Sequence, residues 1–405
     1  MEQVLYKLPD GWEWHSVKKL SHNIQYGHTA KAESNGNAKF LRITDIQNGK
    51  IDWQGVPTVS LEEKEISKYA LNDDDLIFAR SGATAGKSIL IKNAPKDAVF
   101  ASYLIRIVPN KKDIIPEYLR YFFLTPAYWE VVGQNAAGAA QPNINGTKLS
   151  EFIVPVAPQG EQKRIVEKLD AILTRIDTAI EHLQESVTLA DALFESSQSE
   201  IFNDVLSNYQ HSTIDEICIV TSSKRIFKSD YVESGIPFYR TKEIVDLSKE
   251  KTISTELFID KEKFSEICGK FGAPKKGDLL FSAVGTIGVM WIVDEREFYF
   301  KDGNLLWLKD MNGVTPEYLK SAISAVLTEK IKDRSQGAAY KAISITNLKA
   351  FEIPLPSIEE QKSIVAKIEH VSSVTKKTKQ ELSLQINDLH KLKASILDSA
   401  FKGEL

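Results

Sequence analysis

The sequence predicts two copies of a mixed α/β (α+β) globular domain, joined by two long helices that pair as an antiparallel coiled coil. Three observations lead there. An apolar seam runs unbroken through the middle of the chain, a second stretch of the same kind closes it, and the chain repeats itself at an offset of about 200 residues.

The seam comes first. Val166, Leu169, Leu173, Ile176, Ile180, Leu183, Val187, Ala190 and Phe194 fall alternately three and four residues apart, with charge on the other positions. That is the period of a coiled-coil stripe. No Gly or Pro interrupts the stretch after Gly160. At ~1.5 Å per residue, a helix over residues 159–206 is roughly 70 Å long, and its seam needs a partner helix. Residues 357–405 supply one, with Leu382, Ile386, Leu389 and Ile396 on the seam. Between Ser372 and Lys379 the pattern is poorer, which predicts looser packing or an outside partner there.

The repeat is clearest where a loop joins the start of each long helix. Gly138-Ala139-Ala140 recurs as Gly337-Ala338-Ala339. Ile144, Thr147, Leu149, Phe152 and Pro155 recur as Ile343, Thr346, Leu348, Phe351 and Pro354, and Glu161-Gln162-Lys163 as Glu360-Gln361-Lys362. Upstream, Pro116-Glu117-Tyr118-Leu119 returns as Pro316-Glu317-Tyr318-Leu319. Asp75, Leu76, Phe78 and Gly82 return as Asp278, Leu279, Phe281 and Gly285, and Phe40 and Arg42 as Phe238 and Arg240. The unit is a whole domain plus a helix, so this is a duplication and not a solenoid.

In the first copy, residues 39–46, 75–80, 88–92 and 99–108 have strand-like content. Pro116 opens a helix that runs to about Val132. Residues 133–147 lack periodicity and read as a loop, and Phe152 to Pro158 as extended chain, because its prolines forbid a helix. The second copy follows the same order from about Ser207 to Pro356, with its helix beginning at Pro316. The boundaries are thus 1–158, 159–206, 207–356 and 357–405. A 150-residue domain spans roughly 40 Å, too little to carry the chain back along the first helix. The final helix is therefore expected to run antiparallel to it, with a globular copy at each end and an approximate two-fold axis between them.

Composition sets the class. The chain has 405 residues, 42% hydrophobic and 26% charged, as in a soluble globular protein. No apolar run is long enough for a membrane span, no secretory signal is visible, and Cys218 and Cys268 have neither metal spacing nor a disulfide framework. A reducing, cytoplasmic setting is expected. Net charge is −4, but it is unevenly distributed: residues 159–206 hold 4 basic and 10 acidic side chains, residues 357–405 hold 8 and 7, and the remainder 39 and 38. The acidity sits on the central helix, as a solvated face or a docking face for a protein, and leaves the globular copies free to carry local basic surfaces. A pseudo-two-fold chain with two diverged heads suits duplex DNA, whose half-sites mirror protein symmetry.

Taken together, the repeat, the Glu-Gln-Lys start of each long helix, the Pro-flanked entry to it and the opening Leu8-Pro9-Asp10-Gly11-Trp12 resemble the specificity subunit of type I restriction–modification systems. The resemblance covers essentially the whole chain and rests on the ordered set of motifs. It implies that each globular copy is a target-recognition domain and that the helices are conserved spacers. It further implies no catalytic residue in this chain, and a bipartite, asymmetric site on double-stranded DNA; the cysteine and histidine spacing separately predicts no metal site. Two methyltransferase subunits and motor–nuclease subunits would be the partners, with S-adenosylmethionine and ATP held by them and no cofactor here. No Asn-Pro-Pro-aromatic tetrapeptide of adenine methyltransferases and no dinucleotide glycine fingerprint is present.

Candidate DNA contacts are Arg, Lys, Asn, Gln and hydroxyl side chains in loops. In the first head these are Arg42, Arg80, Ser81, Lys87, Gln141 and Asn143; in the second, Arg240, Lys242, Arg334, Gln336, Tyr340 and Lys341. Arg42 and Arg240 recur, so they should serve something common to both heads, such as a phosphate contact or the fold. Residues that differ between heads should carry the difference in sequence. His15, His22 and His28 lack metal spacing. Two other function classes compete. One is a coiled-coil protein-interaction scaffold without DNA binding. The other is a nucleotide-binding enzyme using Gly82-Ala83-Thr84-Ala85-Gly86-Lys87-Ser88, which is one residue short of a P-loop and has no Lys in its second copy. The shared glycines point instead to a backbone turn.

Overall fold

The computed structural model describes residues 3, 5–47, 49–136, 143–301, 303–333 and 342–405. The chain divides into two compact units, one of Met1–Glu185 with Leu382–Leu405, the other of Ser186–Glu381. Each unit joins one globular copy to stretches of both long helices.

Both units build the same four-stranded antiparallel sheet. In the first the order is Ser21–Tyr26, Leu104–Pro109, Leu76–Ala79, Ser88–Leu90; in the second it is Ile219–Thr221, Leu305–Lys309, Leu279–Ser282, Met290–Ile292. The registers match: Phe78 lies opposite Ile105, and Phe281 opposite Leu306. Leu76–Ala79 and Leu279–Ser282 are buried along their whole length, which explains their unbroken apolar run in place of an alternation. Each unit also pairs two strands in parallel, with Phe40 opposite Val99 and Phe238 opposite Tyr299. Finally, an early strand pairs with the proline-containing strand before the long helix, Trp14 opposite Pro155 and Ser212 opposite Ile353.

The repeated motifs acquire structural reasons. Gln162 and Gln361 are fully buried. The Gln162 side-chain carbonyl accepts the Ile115 N–H at 2.8 Å, while its amide donates to the carbonyls of Ala157 (2.8 Å) and Asp113 (3.2 Å). Gln361 repeats the clamp on the Thr315 N–H (2.8 Å) and the carbonyls of Pro356 (2.9 Å) and Gly313 (2.8 Å). Nearby, Tyr118 and Tyr318 each donate a hydroxyl proton at 2.8 Å, to the carbonyls of Pro155 and Pro354. These bonds tie the Pro-Glu-Tyr-Leu helix to the entry of the long helix in both copies. Asp75 and Asp278 show the same frame with a changed partner. Asp75 faces the Arg106 guanidinium at 3.6 Å, whereas Asp278 accepts the Trp307 indole N–H at 2.8 Å. Burial pushes both carboxyls up from their ordinary value.

The long helices run over Gln159–Asn208 and Ile358–Lys402. Val166, Leu169, Leu173, Ile176 and Ile180 are buried; Leu183, Val187, Ala190 and Phe194 are half-buried, as are Leu382, Ile386, Leu389 and Ile396. Within the first unit the helices are antiparallel, since Lys393 meets Asp177 at 2.6 Å and Arg164 donates to the Leu405 carbonyl at 2.8 Å. Within the second they are antiparallel too, with Lys379 on Asp191 at 2.6 Å and the Tyr209 hydroxyl on Glu360 at 2.9 Å. In the stretch of poor seam, Val374 is 52% exposed.

Four expectations need correction. The strand over 39–46 ends at Leu41, and a single 3-10 turn, Ile43–Asp45, follows it. The helix from Pro116 is two helices, Pro116–Phe122 and Pro126–Ala136, because Pro126 has no N–H to continue the first. The second copy has no proline there and keeps one helix, Pro316–Asp333. The strand over 99–108 is likewise two, Ala98–Phe100 and Leu104–Pro109. The loop over 133–147 ends in a short helix, Gly146–Glu151, whose cap is Asn145, accepting the Lys148 N–H at 2.8 Å. Among the described residues no helix is long and apolar enough to cross a membrane.

Candidate nucleic-acid interface

In each unit three backbone segments meet just past the buried central strand. In the first, the Arg80 N–H donates to the Tyr103 carbonyl (3.0 Å), the Arg80 carbonyl accepts the Ile144 N–H (2.8 Å), and Ser81 bridges to Asn143. In the second, Ala283 donates to the Asn304 carbonyl (2.9 Å), accepts from the Ile343 N–H (2.9 Å), and Val284 bridges to Ala342. A glycine turn follows at once, with φ of 78° at Gly82 and 86° at Gly86, and 77° at Gly285 and 85° at Gly288. These are left-handed conformations that favour glycine.

The same turn removes the P-loop geometry. The amides of Ala85, Gly86 and Lys87 donate inward to Gly82, Ala79 and Thr84 carbonyls at 2.9–3.0 Å, and the chain then enters the strand Ser88–Leu90. A phosphate cradle needs those amides turned outward at a helix start. Lys87 is exposed on the turn.

On this frame the Arg80 guanidinium lies over the Tyr26 ring, 5.1 Å from its centroid, and the Tyr26 hydroxyl accepts the Gly146 N–H at 2.8 Å. Among the described residues no carboxylate pairs with Arg80. Tyr26 and Tyr103 are 41% and 40% exposed, and Asn143 is exposed beside them. Sequence reading passes over both tyrosines, since an aromatic at a strand end looks like core; their partners on the frame reveal them.

Arg42 and Arg240 behave differently. Arg42 makes a two-pronged pair with Asp45 (3.0 and 2.7 Å), and Asp45 also accepts the Arg42 backbone N–H at 2.8 Å. Arg240 repeats this on Glu243 (3.3 and 2.7 Å, backbone 2.8 Å) and adds Glu256 at 2.7 Å. Burial alone would push Glu243 up, but the Arg240 bonds hold it below the usual carboxylate range. Lys242 also meets Glu256, at 3.2 Å. The recurrence of Arg42 and Arg240 thus has a fold-level cause, a capping turn after a buried strand. Gln141, Arg334, Gln336, Tyr340 and Lys341 lie outside the described residues. Among the described residues no cluster of His, Cys, Asp and Glu could hold a metal ion.

A family model described as the type I restriction modification DNA specificity domain matches residues 9–189 and, a second time, 207–387. The chain belongs to this family. Among its specificity-subunit relatives, that of EcoKI from Escherichia coli K12 is 25% identical, over 98% of this chain and 90% of its own. That of EcoBI from Escherichia coli is 26% identical over 99% and 88%. A putative specificity subunit from Haemophilus influenzae, HindORF215P, is 24% identical over 85% and 86%. The fold is shared with solved chains. One comes from a study of complex assembly and conformational transition in the type I R-M system (TM-score 0.78, 20% identity, 99% of this chain and 100% of that one). Another is the HsdS subunit from Thermoanaerobacter tengcongensis (TM-score 0.57, 20% identity, all of both chains). Each of the two matched stretches of this chain carries one copy of the pinned frame described above.

Proposed function

We propose that this chain is the DNA-reading subunit of a type I restriction–modification complex. Each unit is a target-recognition domain that reads one half of a bipartite, asymmetric duplex site, and the helices set the unspecified gap between the halves. The chain itself performs no chemistry. It recruits two methyltransferase subunits and, through the full complex, motor–nuclease subunits, which bring S-adenosylmethionine and ATP. The observation that carries this reading is the double match to the specificity domain, one match on each of two units with the same strand order. In the first unit, Arg80, Ser81, Lys87 and Asn143 are the described candidates for contact; Lys242 is the candidate in the second.

Charge outside the long helices is nearly balanced, with 39 basic and 38 acidic residues. The isolated chain should therefore bind DNA only modestly, and the methyltransferase partners should close around the duplex and tighten the grip. Neutralised phosphates make affinity fall with salt. In titrations of the chain with its methyltransferase partners against duplex DNA, affinity should drop about tenfold or more between 50 and 200 mM salt. Absence of duplex binding, or binding indifferent to salt, would instead favour a coiled-coil protein scaffold.

A further inference from the structure

The two frames hold the same backbone and present unrelated side chains. The residues that build the frame recur: Asp75, Leu76, Phe78 and Gly82 match Asp278, Leu279, Phe281 and Gly285, and Ile144 matches Ile343. Pairing makes the correspondence of the outward positions unambiguous. Arg80 and Ala283 make the same two backbone bonds, which equates them and equates Tyr103 with Asn304. The isolated bridges equate Ser81 with Val284 and Asn143 with Ala342. Tyr26 lies opposite Ile105, whose counterpart is Leu306. Thr221 lies opposite Trp307, so the next residue, Ser222, stands where Tyr26 does.

We propose that this frame is where each head reads bases, and that these five positions set the difference between the two half-sites. The assignment rests on the DNA-reading function proposed above. It adds Tyr26 and Tyr103 in the first head, and moves the second head's reading surface onto Val284 and Asn304, while Ser222 keeps its hydroxyl on the frame itself, donating to the Leu305 carbonyl at 3.0 Å. One contrast within the chain carries it. At the capping turn both heads keep an arginine with an internal carboxylate, as a shared structural task demands. On the frame, size, charge and hydrogen-bonding capacity all change between heads while the backbone bonds do not. A backbone pinned from three segments also needs little reordering on binding, which suits it to presenting side chains to base edges.

The chemistry then differs by head. Arg80, stacked on Tyr26, has a fork suited to the O6 and N7 acceptors of guanine. Asn304 is exposed and offers an amide suited to adenine, and Val284, 37% exposed, an apolar contact for a thymine methyl. The first half-site should therefore contain a guanine read by Arg80, and the second an A·T pair read by Asn304 and Val284.

The test selects preferred sites from a randomised duplex library with the full chain and its methyltransferase partners. Arg80→Ala places on the first frame the residue that the second already carries, so the turn should persist. It should lose about 5- to 100-fold of the preference for one guanine in one half-site, leaving the other half-site and the gap unchanged. Asn304→Ala should do the same to an A·T position in the other half-site. Unaltered preferences in both variants would overturn the assignment. A uniform loss over all sequences would overturn it too, making these residues phosphate contacts. If the unmodified complex selects no motif at all, the DNA-reading function itself falls, which a motif retained by both variants would not imply.

Discussion

Phe401→Ala is expected to cost the first unit about 3–5 kcal/mol, the range for emptying a fully enclosed aromatic site. Phe401 is 2% exposed and lies 4.8 Å from the Tyr118 ring and 5.7 Å from the Phe122 ring, centroid to centroid. Its carbonyl also accepts the Tyr6 hydroxyl. The end of the C-terminal helix is thereby locked onto the Pro-Glu-Tyr-Leu helix of the first copy. Phe202, near the end of the central helix, is also 2% exposed, with its ring 6.2 Å from that of Tyr318 in the second copy. Each long helix therefore ends on the globular copy that belongs to the other repeat. Hydrogen exchange gives the unit-specific readout. In Phe401→Ala, peptides covering 116–124 should lose protection while those covering 316–328 keep it, and Phe202→Ala should reverse the pattern. A cost below about 1 kcal/mol would mean that the contact is peripheral.

Gln162→Ala is expected to destabilise the first unit by about 2–4 kcal/mol, because it strands buried backbone groups in place of removing one exchangeable bond. The Ile115 N–H and the Ala157 carbonyl lose a partner at 2.8 Å in a site with no solvent access to the side chain. Gln361→Ala should cost the second unit about as much, since its three bonds copy those of Gln162. Denaturant unfolding followed separately for each unit by hydrogen exchange checks both. Equal stability of variant and parent would remove the clamp from the account.

Much of this architecture is legible in the residues alone, for a definable reason. The 3.5-residue stripe from Val166 to Ile180 and the recurring Gln162 and Gln361 are periodic or duplicated, and both signals survive without a structure. What stayed hidden is local or two-sided. The strand Ser21–Tyr26 is only half-buried and mostly polar, so no run of apolar residues marks it. Phe401 and Phe202 face the globular copies, away from the stripe that pairs the helices, and so fall outside its spacing. The helix break before Pro126 and the Asn145 cap are single-residue effects, too short for any period. On the candidate surface, Arg80 and Asn143 stand on the frame, while Arg42 and Arg240 hold capping turns. The acid three residues after each arginine, Asp45 and Glu243, carries that role in capping-box spacing. Tyr26 and Tyr103 needed the frame, since nothing in their immediate sequence tells an exposed aromatic from a buried one.

Under the proposed function, the paired helices set the gap between two unlike half-sites. The most direct measurement inserts one heptad after Glu185 and one after Leu384, then maps the bases modified by the assembled methyltransferase. A heptad adds about 10 Å of helix, or about 3 base pairs of duplex. Both half-sites should keep their sequence while the unspecified gap between them lengthens by about that amount. A modified motif with its original gap would contradict the account.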